Sequence, residues 1–193
     1  MKGWKIVMAM AIALGITYEI VWGGIGITEE TTRFLIRFTA RSSCLAFLAA
    51  FVAAPLHQLW KSSISQWLVQ NRRFLGISMA VSHGYHAIAV STLQLAIQNK
   101  PLQGDPLAIL GYVFLIAMTI TSFSGSAKAI GRRAWRILHT AGMHYFWLAF
   151  ALEFGMRMNR EWGYLLLTAL VAIVMIIRLI ARSRLKPAIA RPE

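Results

Sequence analysis

Only seven of the 193 residues are acidic, and only one, Cys44, is a cysteine. A lone thiol excludes an internal disulfide and any zinc or iron–sulfur site built on cysteines, so redox chemistry here needs a bound cofactor. Charge of either sign is scarce: 14% of residues carry it while 58% are hydrophobic, against about 25% charge in an ordinary soluble domain. That balance makes lipid the expected solvent. There is no glycine-rich phosphate loop, no Walker-type lysine, no internal repeat and no hydrophilic stretch long enough for a soluble domain. Twenty Lys and Arg leave a net charge of +13, which in a soluble chain would suggest nucleic acid. The cations instead sit in short segments between apolar runs, with no alternation of aromatic and basic residues for base stacking. They read as topology signals, and no nucleic-acid partner is expected.

A hydrocarbon core about 30 Å thick takes roughly 20 apolar residues to cross as a helix. Six such runs occur, near residues 4–27, 42–60, 74–97, 107–123, 135–155 and 164–180. The expected fold is therefore an all-α integral membrane protein: a six-transmembrane-helix bundle, one transmembrane domain over residues 1–193, with no soluble domain. Lys2 and Lys5 precede the first run as in a secretory leader, but the run is too long for one. With the N-terminus inside, only Arg33, Arg37, Arg41, Lys100, Arg157 and Arg160 fall on the outer side, together with Glu29, Glu30, Asp105, Glu153 and Glu161. All other cations fall inside, so both termini are expected in the cytoplasm. Trp22, Trp60, Trp67, Trp135 and Trp162 lie near the proposed span ends, where amphipathic rings favour the headgroups. The stretch after Trp60 is expected to be the longest linker, and a short tail with Pro187 and Pro192 follows Ile180.

Ionisable groups at membrane depth are costly and mark function. His57, beside Trp60 and Lys61, reads as interfacial. His83 and His86 sit i, i+3 on the third span, on one helix face and about 4.5 Å apart along the axis. His139 and His144 lie on the fifth span about 140° apart around the helix, so they cannot both face the third. Two neutral imidazoles on facing helices are what a six-coordinate b-type haem requires, and the bundle core would keep water from the macrocycle. The same histidines equally suit hydrogen bonds across helices or a proton path.

Three motifs resemble the ferric-reductase-like transmembrane family. Asn71-Arg72-Arg73-Phe74-Leu75-Gly76, leading to His86, is similar to the family's Arg-Arg-x-Leu-Gly before a haem-ligating histidine. Gly131-Arg132-Arg133-Ala134-Trp135-Arg136-Ile137-Leu138-His139 resembles the start of its fifth span, which carries the opposing ligand. Ala53-Ala54-Pro55-Leu56 resembles a Thr-Pro-Leu at the end of its second. The resemblance runs from about Gly24 to Phe154 and is nearest to the short members without a flavin domain, the haem-binding membrane subunits of periplasmic methionine sulfoxide reductase systems.

That resemblance implies a b-type cytochrome-like electron-transfer subunit in a bacterial inner membrane. It would be a component of an oxidoreductase system, taking electrons from a quinol or a separate reductase and passing them to a partner membrane or periplasmic oxidoreductase. Haem b and a quinone are the implied cofactors, with His86 and His139 as ligands to the haem iron and His83 and His144 as substitutes. The family's second histidine on the fifth span falls on Leu152, and on the third on Asn99 or Lys100. One haem per chain or none is thus expected, with the outer half filled by side chains such as Leu152. The alternative is a non-catalytic structural subunit of a larger membrane complex that kept the fold without full haem ligation. Cysteine labelling should place Gln103 outside and Lys128 inside; labelling both from one side would overturn the six-span arrangement.

Overall fold

The computed structural model describes residues 3–160 and 162–189, with side chains described through Arg184. Lys2, Glu161, Arg191 and Pro192, and the side chains of Lys186 and Pro187, lie outside this description. The described residues are all-helical: α1 (Trp4–Tyr18), α2 (Glu29–Leu59), α3 (Ser63–Thr92), α4 (Pro106–Ile120), α5 (Ser124–Gly155) and α6 (Trp162–Ile189). α1 continues as a π-helical segment, Glu19–Ile25, and α3 as another, Leu93–Ile97.

Each of the six expected segments overlaps one of these helices; α2, α3, α5 and α6 overrun theirs by many residues, while α1 and α4 end before theirs. Charges bounded the expected segments, whereas caps set the helix ends. Thr28 accepts from the backbone N–H of Thr31 and Thr31 reciprocates, which starts α2 thirteen residues before residue 42. Ser62 and Ser65 do the same for α3. The stretch after Trp60 is therefore not the longest linker: only residues 60–62 are non-helical there, and residues 98–105 form the longest break. Asp105 caps α4 through the Leu107 N–H, with Pro106 in the first turn, where its missing donor costs nothing. α5 bends at Gly131, whose φ of 78° is one that a residue with a Cβ adopts only under strain. The helix that carries His139 thus starts afresh at the Gly-Arg-Arg motif.

Three helical stretches are long and apolar enough to cross a membrane: Trp4–Ile25, Glu29–Leu59 and Trp162–Arg184. A fourth is added if α4 and α5, bent by 114°, count as one. α3 is less apolar because Ser78, Ser82, His83 and His86 interrupt it. Its polar side chains turn inward onto α2. Ser42 and Ser82 hydroxyls are 2.8 Å apart, and Ser82 also donates to the Thr39 carbonyl at 2.9 Å. Around them, buried Thr39, Ser43, Ala46, Ala50 and Ala53 on α2 recur at alternating four- and three-residue steps. Asn71, Leu75, Ser78, Ser82 and Ala89 keep a matching rhythm on α3. Small residues in this rhythm let two helix backbones approach closely, the usual basis of association in lipid, where burial of apolar surface gives no drive.

The two ends of the bundle are marked by aromatic contacts. At the proximal end Trp4 packs on Phe74 and Phe123, with ring centroids 5.6 and 6.3 Å away. At the distal end Tyr18 packs on Tyr85 (5.0 Å), and Phe154 on Tyr164 (6.0 Å). Between them lies a phenylalanine-rich core of Phe47, Phe51, Phe146, Phe150 and Phe154. Leu152 is not part of it: at 51% exposure it points out of the bundle. The expectation that Leu152 fills the outer half is corrected, because 13 residues past His139 is about 220° around the helix, whereas Phe146, Phe150 and Phe154 return to the inner face. Ser82→Leu, overpacking the α2–α3 seam, should cost about 1–3 kcal/mol. Ile88→Leu on the exposed face of the same helix should stay within about 0.5 kcal/mol. Unfolding midpoints in detergent that move equally would show that the seam does not organise the bundle.

Candidate functional site

α2 is the shared wall on which both α3 and α6 pack, and two cavities open where α5 faces these helices. The proximal cavity, about 530 Å³, is lined by His139, by the guanidiniums of Arg72, Arg73, Arg136 and Arg178, and by apolar side chains including Met79 and Met143. The distal cavity, about 350 Å³, is lined by His86, Tyr164, Phe154, Glu153 and the guanidiniums of Arg33, Arg37, Arg157 and Arg160. Both volumes are in the range of cofactor sites, roughly 300–1,000 Å³. Each pairs one imidazole with four guanidiniums. Crowding like charges beside a low-dielectric wall favours an anionic occupant in the proximal cavity; in the distal one Arg157 pairs with Glu153 and Arg33 with Glu29, which leaves Arg37 and Arg160 for an anion.

His86 is held by α2. Thr39 donates its hydroxyl to the Leu35 carbonyl at 2.7 Å, so its oxygen is left to accept, and His86 Nδ1 lies 3.1 Å from it and 3.2 Å from the Ile36 carbonyl. Both partners accept, which assigns the ring proton to Nδ1 and leaves a lone pair on Nε2. A carbonyl-bound Nδ1–H with a free Nε2 is the arrangement that orients metal-ligating histidines.

His83 lies deeper. Its Nδ1 shares a hydrogen bond with the Ser43 hydroxyl, and its ring sits among Tyr112, Phe146 and Phe150 at 5.9, 6.0 and 6.1 Å. It lines neither cavity.

His139 differs from His86 in the nitrogen it commits. Thr121 donates to the Ala117 carbonyl at 2.7 Å and so accepts from His139 Nε2 at 3.1 Å. Trp135 stacks on the imidazole at 4.2 Å and itself donates to the Thr121 carbonyl. The nitrogen a helical histidine offers most readily to a macrocycle is thus already in use. His144 is exposed, with Nδ1 on the Thr140 carbonyl at 2.7 Å and its ring edge-on to Phe51, and lines neither cavity. His57 bridges the α2–α3 junction through the Ser65 hydroxyl at 2.9 Å.

The structure therefore does not bring His86 and His139 to one cavity. The phenylalanine stripe of α5, with His83 against it, lies between them. Arg72 closes the proximal side by donating to the Ala50 carbonyl of α2 at 3.1 Å. Sequence reasoning missed the two guanidinium sets and Tyr164. One signal was present: Arg33, Arg37 and Arg41 repeat every fourth residue, which puts them on one face of α2.

Comparison with known proteins bears on what occupies these cavities. No family model and no solved structure matches the chain. Over 126 residues it is 30% identical to the protein-methionine-sulfoxide reductase heme-binding subunit MsrQ of Cronobacter sakazakii, covering 57% of this chain and 61% of that protein. The chain is similar to MsrQ. The MsrQ proteins of Salmonella paratyphi B and Salmonella newport are 28% identical over 138 residues, covering 63% of this chain and 67% of theirs. The match thus spans less than two thirds of the first MsrQ and about two thirds of the others. The resemblance drawn from Arg72, Arg73, His86 and His139 to haem-binding subunits of methionine sulfoxide reductase systems agrees with these relatives.

Proposed function

We propose that this chain is a haem-binding electron-transfer subunit of a bacterial inner membrane, a six-span bundle with both termini in the cytoplasm. The observation that carries the reading is His86. Its Nδ1–H is fixed on the Ile36 carbonyl, and Nε2 is left for a ligand in a cavity lined by guanidiniums. The donor set fits haem b, with an imidazole for the iron, cations for two propionates, and Phe154 and Ile36 as apolar walls. Haem supplies a reversible one-electron couple when bound. The chain's own part is to orient His86 through α2, to neutralise the propionates with Arg37 and Arg160, and to exclude water with the phenylalanine core.

The proximal cavity suits the electron donor. Its apolar floor and cationic rim fit a quinol in the membrane or the edge of a separate reductase, with His139 as the hydrogen-bonding group. Electrons would leave at the distal end, which faces the periplasm in the proposed topology, toward a partner oxidoreductase; by the relatives' name that partner is a methionine-sulfoxide reductase. One haem per chain follows, because His86 is the histidine that both holds Nδ1 on an acceptor and lines a cavity, whereas His83 and His144 line neither and His139 commits Nε2. His83 stands against the stripe between the cavities.

The alternative, a structural subunit that keeps the fold without haem, draws on the engagement of His139 by Thr121 and on the phenylalanines that fill the middle of the bundle. Colour separates the two. Purified protein should show a Soret band that shifts on dithionite, with close to one haem per polypeptide by pyridine haemochrome; colourless, folded protein would sink the haem reading. His86→Ala should lose the haem and His57→Ala should keep it. Loss of haem in His139→Ala would mean that Nε2 leaves Thr121 to ligate.

A further inference from the structure

The proximal cavity holds positive charge that no acidic side chain answers. Arg72, Arg73, Arg136 and Arg178 reach it from α3, α5 and α6. Among the described residues no Asp or Glu lines it, and none of the four arginines is in an ion pair. The described acids, Glu19, Glu29, Glu30, Asp105 and Glu153, all lie at the distal ends of their helical segments. Two of the cations are fixed side by side. The Arg72 Nε–H donates to the Ala50 carbonyl at 3.1 Å, and the Arg178 guanidinium lies over the ring of the next α2 residue, Phe51, 4.5 Å from its centroid. The anchor on Arg72 uses Nε alone and that on Arg178 is a contact over a ring, so neither takes up the terminal N–H groups with which guanidiniums grip oxyanions. The rest of the lining is largely apolar, with Phe47, Met79, Leu115, Met118, Met143 and Phe146.

We propose that the proximal cavity binds the phosphate of an anionic phospholipid, with Arg72 and Arg178 as its clamp, Arg73 and Arg136 as flanking cations and the acyl chains along the apolar lining. Like charges held together in a low-dielectric bundle repel unless an anion lies between them, and anchors on consecutive residues of α2 keep these two in that position. A neutral occupant leaves the repulsion in place, and a zwitterionic lipid adds an ammonium to a site that already holds four cations. A free phosphate compensates the charge but makes no use of the apolar lining. The place of the cavity agrees with a lipid source. In the proposed topology the proximal end faces the cytoplasm, and basic pockets between spans on that side suit anionic headgroups. Trp135, in the same lining, is a ring type that favours headgroup level. The site is separate from the distal cavity and stands whether or not that cavity holds haem.

The test uses the purified full chain in detergent, stripped of co-purified lipid. The probes are palmitoyl-oleoyl phosphatidylglycerol, the phosphatidylethanolamine with the same chains, and inorganic phosphate. Native mass spectrometry should show phosphatidylglycerol retained in preference to phosphatidylethanolamine, and phosphatidylglycerol should raise the unfolding midpoint. Arg72→Gln with Arg178→Gln removes two cations and should weaken phosphatidylglycerol binding by at least about tenfold. Arg178→Gln alone should weaken it too, and reads the clamp from α6 if the change at Arg72 disturbs folding. Arg132→Gln with Arg133→Gln removes the same charge from exposed positions outside the lining and should leave the affinity unchanged. Equal retention of the two lipids, or an equal loss of affinity in the Arg132 and Arg133 variant, would overturn the proposal. Stabilisation by inorganic phosphate that matches phosphatidylglycerol would overturn the lipid as occupant and assign the guanidiniums to a soluble phosphate.

Discussion

Close contact between α2 and α3 is the constraint on which the rest of this molecule depends. In lipid, apolar surface gains nothing by leaving the solvent, so two helices need another reason to stay together. Here it is a stripe of Ser, Thr and Ala on each helix that brings the backbones near enough for hydroxyls to reach across. Each interhelical hydrogen bond contributes only about 0.6 kcal/mol in such settings, so the few seen here cannot account for the fold by their sum. Their weight lies in what a different packing would cost. Slide or rotate α3, and Ser82, His83 and His86 lose their partners inside a low-dielectric bundle, at about 1–3 kcal/mol for each orphaned group. The seam therefore selects one register, and that register holds His86 Nδ1 on α2 with the residue in the lining of the distal cavity.

The placement of α5 follows from a different rule. Its inward face reads His139, Met143, Phe146, Phe150 and Phe154, a helical stripe that is polar at its start and aromatic beyond. Packed on Phe47 and Phe51 of α2, these rings fill the middle of the bundle between the two cavities. Hence there are two cavities rather than one slot, each at the level where cations from neighbouring helices converge. Arg72 and Arg178 reach the proximal cavity from α3 and α6, and Arg37 and Arg160 lie at the distal one. Guanidiniums tolerate such depth because they are planar, weakly hydrated and able to lie on rings. Arg178 over Phe51 and Arg73 over Phe123, at 4.5 and 4.9 Å, show this directly.

Much of the helical layout was legible because hydropathy and charge are additive along a chain. The six apolar runs and the depth of His83 and His86 follow from counting residues; the bend at Gly131 does not. Helix lengths were not, since the caps at Thr28 and Ser62 extend α2 and α3 well past the apolar runs that a charge-bounded search recognises. Rotational phase across helices was the larger gap. Spacing alone places His86 and His139 on facing spans, but whether they meet depends on the α2 contacts of one and on the Thr121 contact of the other, and those involve residues 47 and 18 positions away. Tyr164 escaped notice for the same reason: nothing local distinguishes it from any aromatic residue at a helix start.

The residues that give α3 its hydrogen bonds to α2 and its candidate ligand also make it a poor membrane span. Ser78, Ser82, His83 and His86 lower its apolarity below that of α1, α2 and α6, the stretches with the composition of independent spans. A helix of this kind is stable in a bilayer only when its polar groups face protein, which places it among its neighbours rather than at the lipid boundary. The packing agrees: α3 lies along α2, which contacts it more than any other helix, with α1 and α4 also against it. This order also bears on any cofactor. A ligand histidine on a lipid-facing helix would drift with that helix, whereas His86 is fixed by two acceptors on a neighbour that is itself held in register. The composition that weakens α3 as a span is thus what gives its imidazole one orientation.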